Sequence, residues 1–174
     1  MKKIICLSGK QYCGKDTIAK ILLEELSTFK RVGIGDAIKI EYGRQHNLTY
    51  EEIDSNKGIY RTGLIELGNY GRSLDPDYWL KKIIDMDCDI IVPDVRLIHE
   101  AEIFKNAGGF LIRVEASYEA RSLRGVITNA NDTTECELDS YTGWDYVISN
   151  ESDYETLVKN TKPLIEAIKN NFKI

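Results

Sequence analysis

The residues from Gly9 to Thr17 have the types and the spacing of a loop that binds phosphates. They read Gly9-Lys10-Gln11-Tyr12-Cys13-Gly14-Lys15-Asp16-Thr17. A polyphosphate is bound well by converging backbone N–H groups, by glycines that let the backbone come close, by a helix N-terminus and by a flexible cation. Gly9, Gly14 and Lys15 provide the glycines and the cation. We therefore predict that the whole segment binds the phosphates of a nucleotide.

Asp16 departs from the usual pattern of such a loop, in which Ser or Thr follows the lysine and binds magnesium. Two explanations are open. Asp16 complements the helix dipole, as acidic residues in the first turn often do, or it helps to hold hydrated Mg²⁺. A carboxylate beside a triphosphate is repelled unless a metal lies between them. We therefore favour the metal-binding role for Asp16.

A second acidic group follows the apolar stretch Asp89 to Pro93, where Asp94 and Arg96 stand close together. If this strand neighbours the first strand, Asp94 lies beside the glycine loop, where it can bind Mg²⁺ through water or accept a proton. The alternative is that Asp94 caps the following helix, because Asp is a favoured cap. We predict a catalytic or metal-binding role for Asp94 and an acceptor-binding role for Arg96.

Arginines elsewhere in the chain suit a phosphoryl transfer, which depends mainly on electrostatic stabilisation of the transferred group. Arg121 and Arg124 lie one helical turn apart, as expected of a lid that closes over the phosphates of the nucleotide, although a solvated helix face is the alternative. Arg61 and Arg72 fall on one face of a predicted helix, where with Lys39 they are expected to bind an acceptor phosphate. Ordinary surface charge is the alternative for these three.

Length and composition limit the possible functions. The chain has 174 residues, which suits a single domain spanning residues 1–174. A formal net charge of -5 argues against binding of a nucleic acid polymer through bulk positive charge. No C-x-x-C pair occurs, and Cys13 lies inside the loop, so we expect reduced thiols and a cytoplasmic protein. The absence of a signal segment or a long apolar run predicts no membrane association.

Strand and helix patterns alternate along the chain. Strands are predicted at Lys3 to Ser8, Arg31 to Gly35, Asp89 to Pro93, Phe110 to Val114 and Asp145 to Ser149. Helices are predicted at Lys15 to Ser27, Tyr60 to Leu74, Pro76 to Met86, Leu97 to Asn106 and Asp153 to Asn170. The strands are mostly continuous apolar runs, as in parallel sheets buried on both faces. We predict an α/β fold in three layers, with ligands at the carboxyl ends of the strands.

Two segments interrupt this alternation. Residues 36–87 are predicted to form a helical insertion that binds the acceptor, and the polar residues 115–143 are predicted to form a lid. Long insertions in a compact domain usually serve as lids or binding loops. Asn150, at the end of the last predicted strand, is placed where backbone groups are expected to read an adenine.

Together these residues resemble P-loop small-molecule kinases, in particular phage-type deoxynucleoside monophosphate kinases and animal-type phosphomevalonate kinases. Residues 14–17 are similar to both groups, which carry aspartate after the lysine. Residues 91–96 look most like the phage enzymes. Residues 121–125 and 134–139, with the predicted helix at 60–74, look more like phosphomevalonate kinases. The resemblance therefore leaves two acceptors open.

The resemblance implies a five-stranded parallel sheet of the P-loop NTPase fold, similar to nucleoside monophosphate kinases. It also implies ATP and Mg²⁺ at the glycine loop and a small phosphorylated acceptor under the helical insertion. Positions that match the catalytic positions of these families are Lys15, Asp16, Asp94, Arg121 and Arg124.

We accordingly predict a phosphotransferase that moves the γ-phosphoryl group of ATP to the phosphate of a small acceptor. A (deoxy)nucleoside monophosphate is the first candidate acceptor and phosphomevalonate is the second. Dephospho-coenzyme A kinases, which share the ending Val147-Ile148-Ser149-Asn150 but normally carry Ser or Thr in the loop, come third. An alternative of another class is a nucleotide-binding switch, against which the acceptor arginines count. The oligomeric state is left open.

Overall fold

The structure, a computed structural model, describes residues 2–174. The chain divides into two compact units, the second of which is Val32–Met86, while the first contains the residues up to Arg31 and from Asp87 onward. The strands are β1 (Ile4–Ser8), β2 (Lys30–Arg31), β3 (Ile90–Val95), β4 (Phe110–Glu115) and β5 (Tyr146–Ser149). The helices are α1 (Lys15–Glu25), α2 (Asp36–His46), α3 (Tyr50–Ser55), α4 (Lys57–Leu74), α5 (Tyr78–Ile84), α6 (Ile98–Asn106), α7 (Tyr118–Arg124), α8 (Thr133–Cys136) and α9 (Tyr154–Phe172), with a 3-10 turn at Glu137–Ser140.

A parallel five-stranded sheet forms the centre of the first unit. Its strand order is β2-β3-β1-β4-β5, and every neighbouring pair is parallel. The α/β fold with five parallel strands is therefore confirmed. Because β1 lies between β3 and β4, the loop after β1 emerges in the middle of the sheet edge where open α/β sheets bind ligands.

Buried apolar side chains hold the glycine loop between β1 and α1. Ile5 and Leu7 of β1 are fully buried in one cluster with Ile18 and Leu22 of α1 and Leu164 of α9. Each such side chain contributes roughly 1.5–3 kcal/mol when it is removed from water. The alternating residues of β1 belong to the opposite face of the sheet, against which α6 packs. The strand and the helix on either side of the loop are thus fixed by the core.

The second predicted strand is largely wrong. It was expected from Arg31 to Gly35, whereas β2 contains only Lys30 and Arg31, which pair with Ile90 and Ile91 of β3. A turn interrupts the extended run, because the Gly33 N–H donates to Asp36 Oδ2 at 2.7 Å and the Asp36 N–H donates to the Gly33 oxygen at 2.9 Å.

Helix bounds differ from expectation by a few residues. The helix expected from Pro76 begins at Tyr78, because the Tyr78 N–H donates to the Asp75 oxygen and the Asp77 N–H to Asp75 Oδ1 in a turn. The expected start of the last helix is confirmed, since Asp153 Oδ1 accepts from the Thr156 N–H at 2.9 Å.

The second unit consists of α2 to α5. Thr49 caps α3 through a capping box. The Thr49 side chain accepts from the Glu52 N–H, and the Glu52 side chain accepts from the Thr49 N–H. Glu41 of α2 binds Lys82 of α5 at 3.3 Å and so connects the two helices.

Among residues 2–174, no helix has both the length and the apolar surface needed to cross a lipid bilayer.

Candidate functional site

The glycine loop has a backbone that requires glycine at two positions. Gly14 adopts φ 96°, and a Cβ placed there would lie 2.2 Å from Nδ2 of Asn150. A Cβ on Gly9 would lie 2.5 Å from the carbonyl oxygen of Val114. Side chains at either position would therefore collide with the edge of the sheet.

Lys15 and the loop line a cavity of about 380 Å³. Lys15 is the first residue of α1 and is only 7% exposed. The residues that line the cavity are Gln11, Tyr12, Gly14, Lys15, Asp16, Thr17, Arg96 and Arg124. Three cations therefore face one carboxylate at the N-terminus of a helix, an arrangement that suits a polyphosphate.

Cys13 lies inside the loop, but its thiol is not activated as a nucleophile. Its side chain is buried, and burial raises the pKa of the Cys13 thiol although the charge of Lys15 acts in the opposite direction. A protonated thiol is a poor nucleophile. All four cysteines are free in the structure.

Asp94 lies at the end of β3, beside β1, as its predicted role requires. Burial raises the pKa of the Cys6 thiol on the neighbouring strand, and the negative charge of Asp94 raises that pKa further. The N-cap position of α6 belongs to Leu97 and not to Asp94. Glu100 instead accepts the N–H groups of Arg96 and Leu97, at 2.8 and 3.1 Å, at the start of α6.

Asp16 is exposed, and its carboxylate lies 3.7 Å from Nη2 of Arg31. An exposed ion pair of this length contributes little to stability. Within the described part of the chain, no group of three or more acidic, cysteine or histidine side chains forms a ready metal site. Protein-bound Mg²⁺ usually has only one or two carboxylate ligands and completes its shell with phosphate oxygens and water. Metal binding by Asp16 and Asp94 remains a prediction.

The two arginines of α7 reach the glycine loop. Arg121 is 8% exposed, and its Nη1 donates to the carbonyl oxygen of Gln11 at 3.3 Å. Arg124 donates to the carbonyl oxygens of Tyr12 at 3.3 Å, Asn150 at 2.8 Å and Ser152 at 3.1 Å. The structure therefore brings both arginines to the loop. Arg121 is buried there, whereas Arg124 is exposed, so the solvated helix face proposed as the alternative is excluded only for Arg121.

The backbone groups of Asn150, which were predicted to contact an adenine, have hydrogen-bond partners within the chain. Its backbone N–H donates to the Glu115 oxygen at 2.8 Å, and its backbone oxygen accepts from Arg124. Its side chain donates from Nδ2 to the carbonyl oxygen of Cys13 at 2.8 Å in a buried position. The Asn150 side chain therefore supports the loop, and contact of its backbone with an adenine remains a prediction.

Acidic residues of the segment 115–143 contact the loop in ways that sequence reasoning missed. Glu135 accepts from the Gln11 N–H at 2.8 Å, and Asp139 binds Nζ of Lys10 at 2.6 Å. The side chain of Gln11 also exchanges two hydrogen bonds with the backbone of Thr128. These residues are more than a hundred positions from the loop in sequence. The resemblance of residues 134–139 to phosphomevalonate kinases therefore singled out Glu135 and Asp139 but not their partners.

The second unit contains a basic cavity of about 310 Å³. Its lining consists of Gly35, Ile38, Lys39, Lys57, Arg61, Leu64, Ile65 and Arg72. Arg61 and Arg72 do share one face of α4, as the eleven-residue spacing predicted. Lys57 was not identified from the sequence. The cavity combines four cations with three large aliphatic side chains.

Lys39 does not have the free ammonium group expected of an acceptor ligand. Its Nζ binds Asp36 at 2.8 Å and Asp54 at 2.9 Å. Although partial burial lowers the pKa of Lys39, the hydrogen bonds to Asp36 and Asp54 raise that pKa above the ordinary value. Lys39 is therefore paired with two carboxylates where it lines the cavity, and its binding of the acceptor remains a prediction.

Comparison with known proteins identifies the family. Residues 7–109, more than half of the chain, match the family described as phosphomevalonate kinase. The chain belongs to the phosphomevalonate kinase family. A phosphomevalonate kinase from Drosophila melanogaster is 28% identical over 173 residues, which cover 89% of this chain and 92% of that relative.

Solved structures with the same fold include two proteins that are distant in sequence. Shikimate kinase from Aquifex aeolicus has a TM-score of 0.54 at 16% identity, covering 98% of each chain. TT1252 from Thermus thermophilus has a TM-score of 0.55 at 13% identity, covering 95% of this chain and 97% of that chain. At such identities the likeness shows the fold alone.

The family assignment reorders the predicted acceptors. The chain is a kinase of the P-loop type, so the predicted reaction class is confirmed. The match favours phosphomevalonate, which the sequence analysis placed second, over a nucleoside monophosphate.

Proposed function

We propose that this kinase transfers the γ-phosphoryl group of ATP to the phosphate of phosphomevalonate. The observation that carries this proposal is the basic cavity of the second unit. Arg61 and Arg72 supply cations there, and Ile38, Leu64 and Ile65 supply an aliphatic wall. Lys57 also lines the cavity, where it shares Asp54 with Lys39 at 2.9 Å. Family membership supports the same acceptor.

The lining of this cavity suits an aliphatic molecule with two anionic groups better than a nucleobase. Phosphomevalonate carries a phosphate and a carboxylate at opposite ends of a short aliphatic chain, so it presents two anionic groups and a methyl-bearing centre. A base is usually recognised by aromatic stacking and by amide side chains. None of the residues that line this cavity is aromatic or carries a side-chain amide. A nucleoside monophosphate would leave much of its base without specific contacts.

The first unit supplies the nucleotide side of the proposed reaction. Lys15 and the loop amides are proposed to hold the β- and γ-phosphates of ATP, with Asp16 and Asp94 able to hold Mg²⁺ through water. Such an ion bridges phosphate oxygens and neutralises their charge. Arg121 and Arg124 lie against the loop carbonyls, where guanidinium groups stabilise the charge of a transferring phosphoryl group.

The acceptor is tested with a substrate panel. The protein is incubated with ATP, Mg²⁺ and either phosphomevalonate, mevalonate or each common ribo- and deoxynucleoside monophosphate, and ADP release is followed by a coupled assay. We expect ADP release only when phosphomevalonate is the acceptor. Preparations of Lys15→Ala, purified identically, control for contaminating kinases. Faster turnover with any nucleoside monophosphate would overturn the proposed acceptor.

The same panel separates the kinase from a nucleotide switch. A switch hydrolyses ATP at the same rate with and without an acceptor, whereas a kinase releases ADP in proportion to the acceptor that is phosphorylated. We expect one phosphorylated acceptor for each ADP, measured by phosphorus NMR.

A further inference from the structure

Glu135 joins the glycine loop to Arg96 through one carboxylate. Its Oε2 accepts from the backbone N–H of Gln11 at 2.8 Å, and its Oε1 pairs with Nη1 of Arg96. The Glu135 side chain is only 5% exposed. One buried carboxylate thus contacts two groups that line the phosphate cavity.

A buried carboxylate of this kind is sensitive to the loss of either partner. Burial of a charge is costly unless it is paired and hydrogen-bonded, and Glu135 has one donor for each oxygen. Glu135 accepts from Nη1 of Arg96, so the other N–H groups of this guanidinium remain available on the cavity wall. The contact therefore orients Arg96 without using all of its donors.

The segment around Glu135 is also attached to the loop at other points. Asp139 binds Lys10 of the loop and Arg113 of β4, at 2.6 and 3.1 Å. Gln11 bonds to Thr128 through its side chain. Among these contacts, only that of Glu135 reaches both the loop backbone and a cation of the cavity.

We propose that Glu135 is a positioning residue for phosphoryl transfer, which acts by holding Arg96 and the Gln11 amide at the phosphate cavity. The guanidinium group of Arg96 is therefore oriented at the phosphate cavity only when the segment 115–143 contacts the loop. This inference rests on the proposed function where kcat is measured, because turnover needs the acceptor. The measurement of MgATP binding does not need the acceptor.

The test is a double-mutant cycle between Glu135→Gln and Arg96→Ala. Glutamine keeps the size of the side chain, but its NH₂ group faces a donor at one of the two contacts. We expect Glu135→Gln alone to lower kcat about tenfold or more and to weaken MgATP binding about threefold or more, because Arg96 and the amide lose their fixed positions. In the Arg96→Ala background we expect the same change to have a clearly smaller effect on both quantities, because only its action through the Gln11 amide is left.

Glu137→Gln is the matched control. Glu137 lies two residues away and also accepts a backbone N–H, that of Ile98 at 2.8 Å, but it contacts neither the loop nor Arg96 in the described structure. We expect wild-type kcat and MgATP affinity for this variant. Calorimetric scans of all variants establish that each is folded at the assay temperature.

Two results would overturn the inference. Equal effects of Glu135→Gln in the presence and absence of the Arg96 side chain would show that Glu135 does not act through Arg96. A lowered unfolding temperature with unchanged kcat and MgATP affinity would show a purely structural role. If wild-type protein fails to phosphorylate phosphomevalonate, the proposed acceptor is wrong, and the cycle measured on MgATP affinity by calorimetry still decides the role of Glu135.

Discussion

Asn150 and Cys13 are joined by a buried hydrogen bond of 2.8 Å, from Nδ2 of Asn150 to the carbonyl oxygen of Cys13. The Asn150 side chain also occupies the space in which a Cβ on Gly14 would lie. The residue that follows β5 therefore supports the conformation of the loop that follows β1, 137 positions earlier in the chain.

Replacing Asn150 by alanine should loosen this loop. The Cys13 oxygen would lose its buried donor, which costs about 1–3 kcal/mol of unfolding free energy, and MgATP affinity should fall as the loop becomes mobile. Urea unfolding and calorimetric titration measure the two effects. Asn56→Ala is the matched control, because Asn56 donates a similar bond of 2.8 Å to the Glu52 oxygen at an exposed site. Equal losses in both variants would contradict a special role for Asn150.

Lys15→Ala should nearly abolish turnover. The transferred group loses its principal cation, and we expect kcat to fall by about a hundredfold to a thousandfold or more in an ADP-release assay. Lys20→Ala, an exposed substitution on the same helix, should leave kcat unchanged. Retention of most of the rate by Lys15→Ala would mean that the phosphates bind elsewhere.

Arg121→Ala should lower kcat more than it lowers ATP affinity. The guanidinium group is buried against the Gln11 carbonyl oxygen, and its Nε has no hydrogen-bond partner among the described residues. A phosphate oxygen would satisfy that group when the segment 115–143 is closed. We expect a loss of about a hundredfold in kcat with less than a fivefold change in the dissociation constant for MgATP. Equal losses in both quantities would argue against a lid.

Arg61→Ala should raise the KM for phosphomevalonate by about tenfold to a hundredfold and leave the KM for ATP unchanged, because only the acceptor cavity loses a cation. Arg44→Ala removes an exposed arginine of the same unit that pairs with Glu41 and does not line the cavity. This control should retain the wild-type KM for both substrates. An increased KM for ATP in Arg61→Ala would be inconsistent with the assigned cavity.

Glu41 should make the stability of the chain sensitive to acid. Its hydrogen bond with Arg44, opposed by burial and assisted by Gln45 and Lys82, lowers the pKa of Glu41 to about 2. Because this folded-state pKa lies below the unfolded value of 4.5, the ionised group stabilises the protein above about pH 4.5. That contribution is lost as the pH falls towards 2.

The measurement is the unfolding temperature of wild type and of Glu41→Gln between about pH 6 and pH 3. We expect the wild-type value to fall more steeply, since glutamine at this position has no proton to gain. Glu66→Gln serves as the control, because Glu66 is exposed and makes no hydrogen bond or ion pair in the described structure. Parallel curves for wild type and Glu41→Gln would refute the assignment.

The sequence by itself determined the glycine loop, the parallel α/β sheet and the common face of Arg61 and Arg72. These features depend on spacing within a few turns of chain, on burial of continuous apolar runs and on the backbone freedom of glycine. Strand ends were less predictable, because the turn at Gly33 depends on a side chain three residues later.

Only the tertiary structure decided the partners of Asn150, Lys39 and Glu135. Asn150 supports the loop, Lys39 is paired with two carboxylates, and Glu135 joins the loop to Arg96. A polar side chain reveals its charge in the sequence but not its partner. The partner is set by the packing of distant segments, and the packing determines whether a charge binds a ligand or holds the protein together.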